Sequence, residues 1–341
     1  MKKILFTLLG ILTTVIATAQ TPSILRYYLN DGTTIDVKIS ELNQIQRIAK
    51  SGLDNIFNNG QTAISVPFDE IDSIVFVADN NVNRNTNPRA QRLEYPRLKE
   101  GSDQLLVIHS TTQYGITFSL EWDCSKRSQR WTCYQFHNGI PDNNVGRKES
   151  WKVDPNIPSA YQTSGADYSG TDYTNRKLTR GHMCMSNDRQ SSEEQNKQTF
   201  YYSNMQPQYS NHNSGLWQTL ENKVNDWGNN SSFRDTLYVV KAATIDKADQ
   251  RLASTNTGLI VPKYFYMAIL CVKNGQYKAI GFWTEHTNTK LSDLPSKKPK
   301  DYAVSIRELE EKTGIDFFCN LPDDIEETVE SSYSLSAWGI N

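Results

Sequence analysis

Beyond residue 20 the sequence has no run of about 18 apolar residues, so no helical membrane span is expected in the mature chain. Charge of one sign is also missing. Lys and Arg number 36 against 38 Asp and Glu, a formal net charge of −2, and total charge alone does not point to a polyanionic partner. No cysteine spacing resembles a structural zinc site. The five cysteines are an odd set, which leaves at least one unpaired within the chain. No internal repeat is visible, which excludes a solenoid or propeller. What is present suits a folded enzyme: 37% of residues are apolar, with 17 Tyr, 12 Phe and 7 Trp, enough for a substantial core and against bulk disorder.

The first residues read as an export signal. Lys2 and Lys3 precede an apolar stretch from Ile4 to Ile16, and Ala17-Thr18-Ala19 supplies the small-x-small cleavage pattern, with Gln20 as the new N-terminus. Residues 1–19 are therefore assigned as a signal peptide and the chain is expected in the periplasm or outside the cell. An uncleaved anchor is the alternative. No cysteine follows the cleavage site to take a lipid. Export permits disulfides. Cys124 and Cys133 bracket a polar stretch between two aromatic-rich runs, so a hairpin closed by that pair is expected; Cys271 with Cys319 is the other candidate.

Residues 20–78 read as a small β-rich module. Ile24 to Leu29 and Thr34 to Ile39 flank the turn signal Asn30-Asp31-Gly32, and 63–68 and 74–77 are further strands. Residues 79–95 are polar and hold one proline, a linker pattern. A large α+β domain over 96–341 follows. Strands are expected at 105–109, 115–122, 131–136, 237–240, 264–272 and 280–283. Helices are expected from Ser214 to Trp227, with Trp217, Leu220 and Val224 at i, i+3 and i+7, and from Ser305 to Lys312, ended by Gly314. Charge is uneven along this domain. Residues 126–152 carry Lys126, Arg127, Arg130, Arg147, Lys148 and Lys152, a candidate basic face, although such a run on charge alone reads as solvated surface.

Chemistry concentrates between Leu178 and Glu221. Arg180 and His182, two apart in extended chain, share a face, and Gly181 between them allows close approach of backbone. A histidine serves as a base near neutral pH. Neutral amide oxygens of the Asn-rich segment suit a hard cation. Arg, His and an oxygen-ligated metal are the parts needed to hydrolyse a phosphodiester.

Thr179-Arg180-Gly181-His182, then Thr199-Phe200-Tyr201-Tyr202-Ser203-Asn204-Met205-Gln206-Pro207-Gln208, then Asn213, Trp217 and Leu220-Glu221 together resemble the DNA/RNA non-specific endonuclease family, secreted Serratia-type nucleases. The likeness extends loosely over 105–290. It implies an α+β fold with a ββα-metal (His-Me finger) core around a central antiparallel sheet. It implies hydrolysis of DNA and RNA with little sequence preference, leaving 5′-phosphate ends. By the same resemblance His182 is the general base, and Asn213 is the direct ligand of one Mg²⁺, with Mn²⁺ as a substitute. Glu221 acts in the outer shell, Arg180 meets phosphate, and Asn204 orients the site. Arg147, upstream of Trp151-Lys152-Val153-Asp154-Pro155, is the candidate second arginine. The family's usual Asp is Thr179 here, so a nuclease fold that binds polyanions or the cell surface without turnover is the alternative. Among the remaining residues, Cys184 reads as a buried thiol and His212 as an incidental surface histidine. His109, His137 and His286 show no partner pattern, and Tyr201, Tyr202 and Tyr209 are expected to stack on bases or pack in the core.

Overall fold

The protein is described by a computed structural model over residues 24–30, 33–39, 41–48, 51–57, 62–77, 81, 83–141, 144–175 and 177–340. The signal segment 1–19 and the Asp31-Gly32 turn residues lie outside the described residues. The chain divides into two compact units, Met1–Asn80 and Asn81–Asn341.

The first unit holds β1 (Ile24–Leu29), β2 (Thr34–Lys38), β3 (Leu42–Ile48), β4 (Gly52–Phe57), β5 (Thr62–Pro67) and β6 (Ile71–Val77), in two three-stranded sheets ordered β2-β1-β6 and β3-β4-β5. Leu25, Tyr27, Val37 and Val66 form its core, and Tyr27 Oη donates to Asn55 Oδ1 at 2.6 Å, joining the two sheets. Strands β3 and β4 were not expected. Most of β3 is exposed and its polar interior carries no period-two pattern to read.

The second unit is built on a seven-stranded sheet ordered β17-β16-β15-β12-β9-β8-β7. Its strands are β7 (Gln104–Thr111), β8 (Gly115–Asp123), β9 (Ser128–His137), β12 (Thr236–Ala243), β15 (Tyr264–Lys273), β16 (Gln276–Glu285) and β17 (Ala303–Val304). Every neighbouring pair is antiparallel. Outside it lie the hairpin β10 (Leu178–His182) and β11 (Met205–Tyr209) and the small pair β13 (Arg251–Ser254) and β14 (Ile260–Pro262). The helices are α1 (Thr171–Asn175), α2 (Glu193–Gln198), α3 (Ser210–His212), α4 (Gln218–Gly228), α5 (Ile306–Thr313) and α6 (Asp323–Ser331).

Strand alternation sorts the core onto two faces. Phe118, Leu120, Leu237, Val239 and Phe265 pack with Trp217, Leu220, Val224 and Trp227 of the helical segment on one side. Trp131, Tyr238, Val240 and Leu270 pack with Ile306, Leu309, Phe317 and Val329 on the other. Each such buried side chain contributes about 1.5–3 kcal/mol. As expected, α5 ends at Gly314, whose φ of 75° suits a residue without a Cβ.

Two expectations change. Residues 83–95 of the stretch read as a linker belong to the large unit. Tyr95 and Ala90 are fully buried. Asn83 Nδ2 donates to Asp316 and Glu326, while Asn320 Nδ2 donates to the carbonyls of Ala90 and Arg92. The asparagines satisfy irregular backbone and carboxylates rather than solvent, which polarity alone does not distinguish. All five cysteines are free and buried. Cys124 and Cys133 flank a β8–β9 hairpin as expected, but Asp123 pairs with Ser128 and Cys133 with Ser119. The two thiols sit out of register, in core clusters on opposite faces of the sheet. Cys271 and Cys319 are likewise unpaired.

Candidate active site

The polar segments read from the sequence lie on one hairpin and the helical segment that follows it. Arg180 pairs with Pro207, Gly181 with Gln206 and His182 with Met205 across β10 and β11. The chain then turns directly into α3, a π-helical turn over Asn213–Trp217, and α4. The expected single helix is thus interrupted by a wider turn at Asn213, a deviation that recurs at functional sites. Gly181 has a local reason. A Cβ there would overlap the side chain of Gln208, which lies across the strand and donates from Nε2 to His212 Nδ1 at 2.7 Å.

Arg180 and His182 do share a face, and Trp151 marks it. The Arg180 guanidinium lies 3.9 Å from the centre of the Trp151 ring, and the His182 and Trp151 rings are 5.6 Å apart. Phe200 meets the His182 ring edge-on at 5.2 Å and stacks Arg147 at 4.7 Å. Arg180, Arg147, His182, Trp151 and Phe200 therefore form one cluster. Arg180 has no ion pair or hydrogen bond among the described residues, and Arg147 has only the exposed Glu149 at 3.0 Å. Thr179 pairs with Gln208 and, by alternation, faces away from Arg180 and His182.

His182 is half-buried, and its Nε2 is buried with no hydrogen-bond partner among the described residues. Burial, then the charges of Arg147, Arg180 and Lys241, push its pKa down to about 3. The ring is neutral at ordinary pH. The half-buried Asn213 likewise carries a side-chain amide free of partners among the described residues. Glu221 on α4 is buried, and burial pushes its carboxyl up to about 7 against the opposing pull of Lys241, whose Nζ donates to Oε1 at 3.1 Å.

Asn204 has a different geometry from a reacting group. Its Oδ1 accepts from Cys184 N, and its Nδ2 donates to the carbonyls of Cys184 and Thr199, each at 2.8 Å. Its amide holds the backbone just beyond His182. Cys184 is fully buried, as expected of a thiol in an apolar setting.

Several sequence readings need correction. His212 is not at the surface: it is buried, with Nε2 donating to Thr284 Oγ1 at 3.2 Å. His286 is buried too, accepting from Tyr209 N and donating to the Pro262 carbonyl. His109 has a firm partner, donating from Nε2 to Asp154 Oδ2 at 2.9 Å, and Asp154 also accepts from Ser203 Oγ. The basic run 126–152 is largely neutralised. Lys126 pairs with Asp123 and Asp246, Arg127 with Asp167, Arg130 with Glu121 and Asp246, and Lys148 with Glu193. Of the residues missed entirely, Lys241 stands out. A lone cation inside the apolar strand Leu237–Ala243 is the signal that could have found it, since a buried lysine is rarely tolerated without a partner.

A β-hairpin followed by a helix, with a histidine closing the first strand and an amide opening the helix, is the ββα arrangement of metal-dependent nucleases set against an antiparallel sheet. The profile of the DNA/RNA non-specific endonuclease family matches residues 105–324, and the chain belongs to that family of nucleases. It is 27% identical over 217 residues to the mitochondrial nuclease EXOG of Xenopus laevis, covering 61% of this chain and 58% of that one. It is 26% identical to a nuclease of Nostoc sp., covering 63% and 75%, and 25% identical to the nuclease of Serratia marcescens, covering 63% and 77%. The chain thus spans little more than half of the first of these relatives. A crystal structure of the EndoG/EndoGI complex shares the fold at a TM-score of 0.52, with 21% identity, 65% of this chain and 89% of that chain covered.

Proposed function

We propose that the protein is an exported endonuclease that hydrolyses phosphodiester bonds of DNA and RNA and leaves 5′-phosphate ends. The observation that carries this reading is the buried, partnerless Nε2 of His182, set beside two guanidinium groups held on aromatic rings.

His182 enters the reaction neutral and takes a proton from the attacking water as general base. In the free protein burial first, and the cations beside it second, hold its basicity down. A phosphate bound by Arg180 and Arg147 offsets those charges, so substrate itself raises the imidazole toward a useful basicity. Arg180 presents an uncommitted donor fork to phosphate oxygens, oriented by Trp151. Arg147 reaches the same cluster from the rim. Asn204 acts on the chemistry only through the backbone it holds.

The donors fit a hard divalent cation: a free amide oxygen on Asn213, and Glu221 as an outer-shell acceptor. When bound there, Mg²⁺, or Mn²⁺ in its place, would stabilise charge on the phosphate and the departing 3′ oxygen. Because these contacts go to phosphate, they carry no base sequence, and low specificity follows. The position of Thr179 on the opposite face of β10 from Arg180 and His182 favours retained turnover over a binding-only role.

The test is incubation of the mature chain with supercoiled plasmid and with an RNA transcript, with Mg²⁺ and with chelator. Nicking of both that stops in chelator and yields ligatable 5′-phosphate ends is expected. Tight binding without cutting would overturn the catalytic reading. The mass of protein exported by an expressing bacterium checks cleavage after Ala19.

A further inference from the structure

Lys241 is the one lysine side chain described with no solvent exposure among the ion pairs of the large unit. It lies on β12, and alternation places it on the same face as Leu237 and Val239, the face covered by α4. Its Nζ is 3.1 Å from Glu221 Oε1 and 3.5 Å from Asp188 Oδ2. Asp188 is itself pinned, accepting from Tyr134 Oη at 2.6 Å and from Asn225 Nδ2 at 2.9 Å. Burial works to lower the Lys241 ammonium, but Glu221 and Asp188 outweigh it and keep it charged. A buried ion triad contributes little net stability over an apolar packing of similar shape. Its placement under the helix that carries Glu221 therefore points to another role.

We propose that Lys241 is a positioning residue that fixes the Glu221 carboxylate from beneath α4, with Asp188 as its anchor on the opposite side. The inference rests on the outer-shell role proposed for Glu221. A carboxylate on a helix could swing among rotamers. One oxygen tied to an ammonium set rigidly in the sheet leaves the other oxygen aimed in one direction, and partners of this kind set metal affinity and rate.

The test is a double-mutant cycle on the intact chain. Lys241→Met alone strands two buried carboxylates and is expected to fold poorly. Lys241→Met with Asp188→Asn keeps the net charge of the cluster, and its melting curve checks that it folds. Mn²⁺ affinity measured by electron paramagnetic resonance without nucleic acid, together with kcat and KM for plasmid cleavage, are the readouts. In the charge-balanced variant, Mn²⁺ affinity and kcat are expected to fall about 10–100-fold with KM little changed. Glu221→Gln is expected to fall as far, and adding it to the charge-balanced variant should cost nothing more. Losses that multiply, or a charge-balanced variant with unchanged affinity and kcat beside an impaired Glu221→Gln, would overturn the role of Lys241 alone. A Glu221→Gln chain with unchanged affinity and turnover would overturn the outer-shell reading, and this inference with it.

Discussion

Two groups of cations in the large unit show opposite arrangements. Arg130 and Lys126 are tied by carboxylates: Arg130 to Glu121 and to Asp246 at 2.9 Å, Lys126 to Asp123 at 2.8 Å and Asp246 at 2.6 Å. Arg180 and Arg147 rest on aromatic faces at 3.9 and 4.7 Å, and the first has no carboxylate partner among the described residues. The tied group has its charge met by carboxylates, so it serves the fold rather than a phosphate. An aromatic ring steadies a guanidinium without occupying its N–H groups. A basic residue is thus available to a polyanion according to what already holds it, not according to how many like it stand nearby in sequence.

That contrast can be broken at three points. The largest effect belongs to the neutral base between the free cations. His182→Ala is expected to lower kcat by about 10²–10⁴-fold, the usual contribution of a general base. Its melting temperature should fall only by the lost ring contacts with Trp151 and Phe200, because Nε2 has no hydrogen-bond partner among the described residues. Retained turnover in a plasmid-nicking time course would remove His182 from the mechanism.

Next comes the exchange of roles between the two arginines. Arg130→Met leaves Glu121, fully buried, without its cation and should cost about 3–5 kcal/mol in urea unfolding, with cleavage per folded molecule unchanged. Arg180→Met should do the reverse. It should lower kcat/KM by about 10–100-fold, the range of a charged hydrogen bond worth about 1.5–3 kcal/mol, with stability within about 1 kcal/mol. If both variants lose stability alike, the distinction between tied and free cations fails.

The third effect is on pH dependence in chelator. The folded His182 pKa, about 3, lies below its ordinary 6.5. Between those values the unfolded chain binds the extra proton, so this group's contribution is complete above 6.5 and is lost as pH falls toward 3. Glu221 works the other way. Its folded pKa of about 7 lies above the ordinary 4.5, so its contribution is complete below 4.5 and declines as pH rises to 7. Urea unfolding of His182→Gln across pH 3.5–6.5 should show less loss toward acid than the parent, and Glu221→Gln should flatten the decline toward neutrality. Parallel curves for parent and His182→Gln would mean that the ring is not held neutral by its surroundings.

Much of this was legible in one dimension. Six strands of the central sheet announced themselves because β-branched and aromatic residues cluster there, and each lengthened by only a few residues at its ends, as β9 did from 131–136 to Ser128–His137, while the two-residue β17 was not expected. The helix with Trp217, Leu220 and Val224 showed its buried stripe, yet the π turn at Asn213 left no mark in the pattern. The 81–95 strap and strand β3 escaped for one reason: their polar side chains look solvated until the backbone they satisfy is known.

The sequence by itself determined the family and the order of the hairpin and helix, because those segments lie close along the chain and their chemistry is carried by residue type and spacing. Only the tertiary structure decided which arginines remain free, that His109 meets Asp154, that the thiols stay apart, and that Lys241 stands under Glu221. Partners such as Arg130 and Asp246, 116 residues apart, are brought together by the pairing of β9 with β12, just beyond which Asp246 lies. Burial then sets the protonation of each group, and neither register nor burial is encoded in any local pattern.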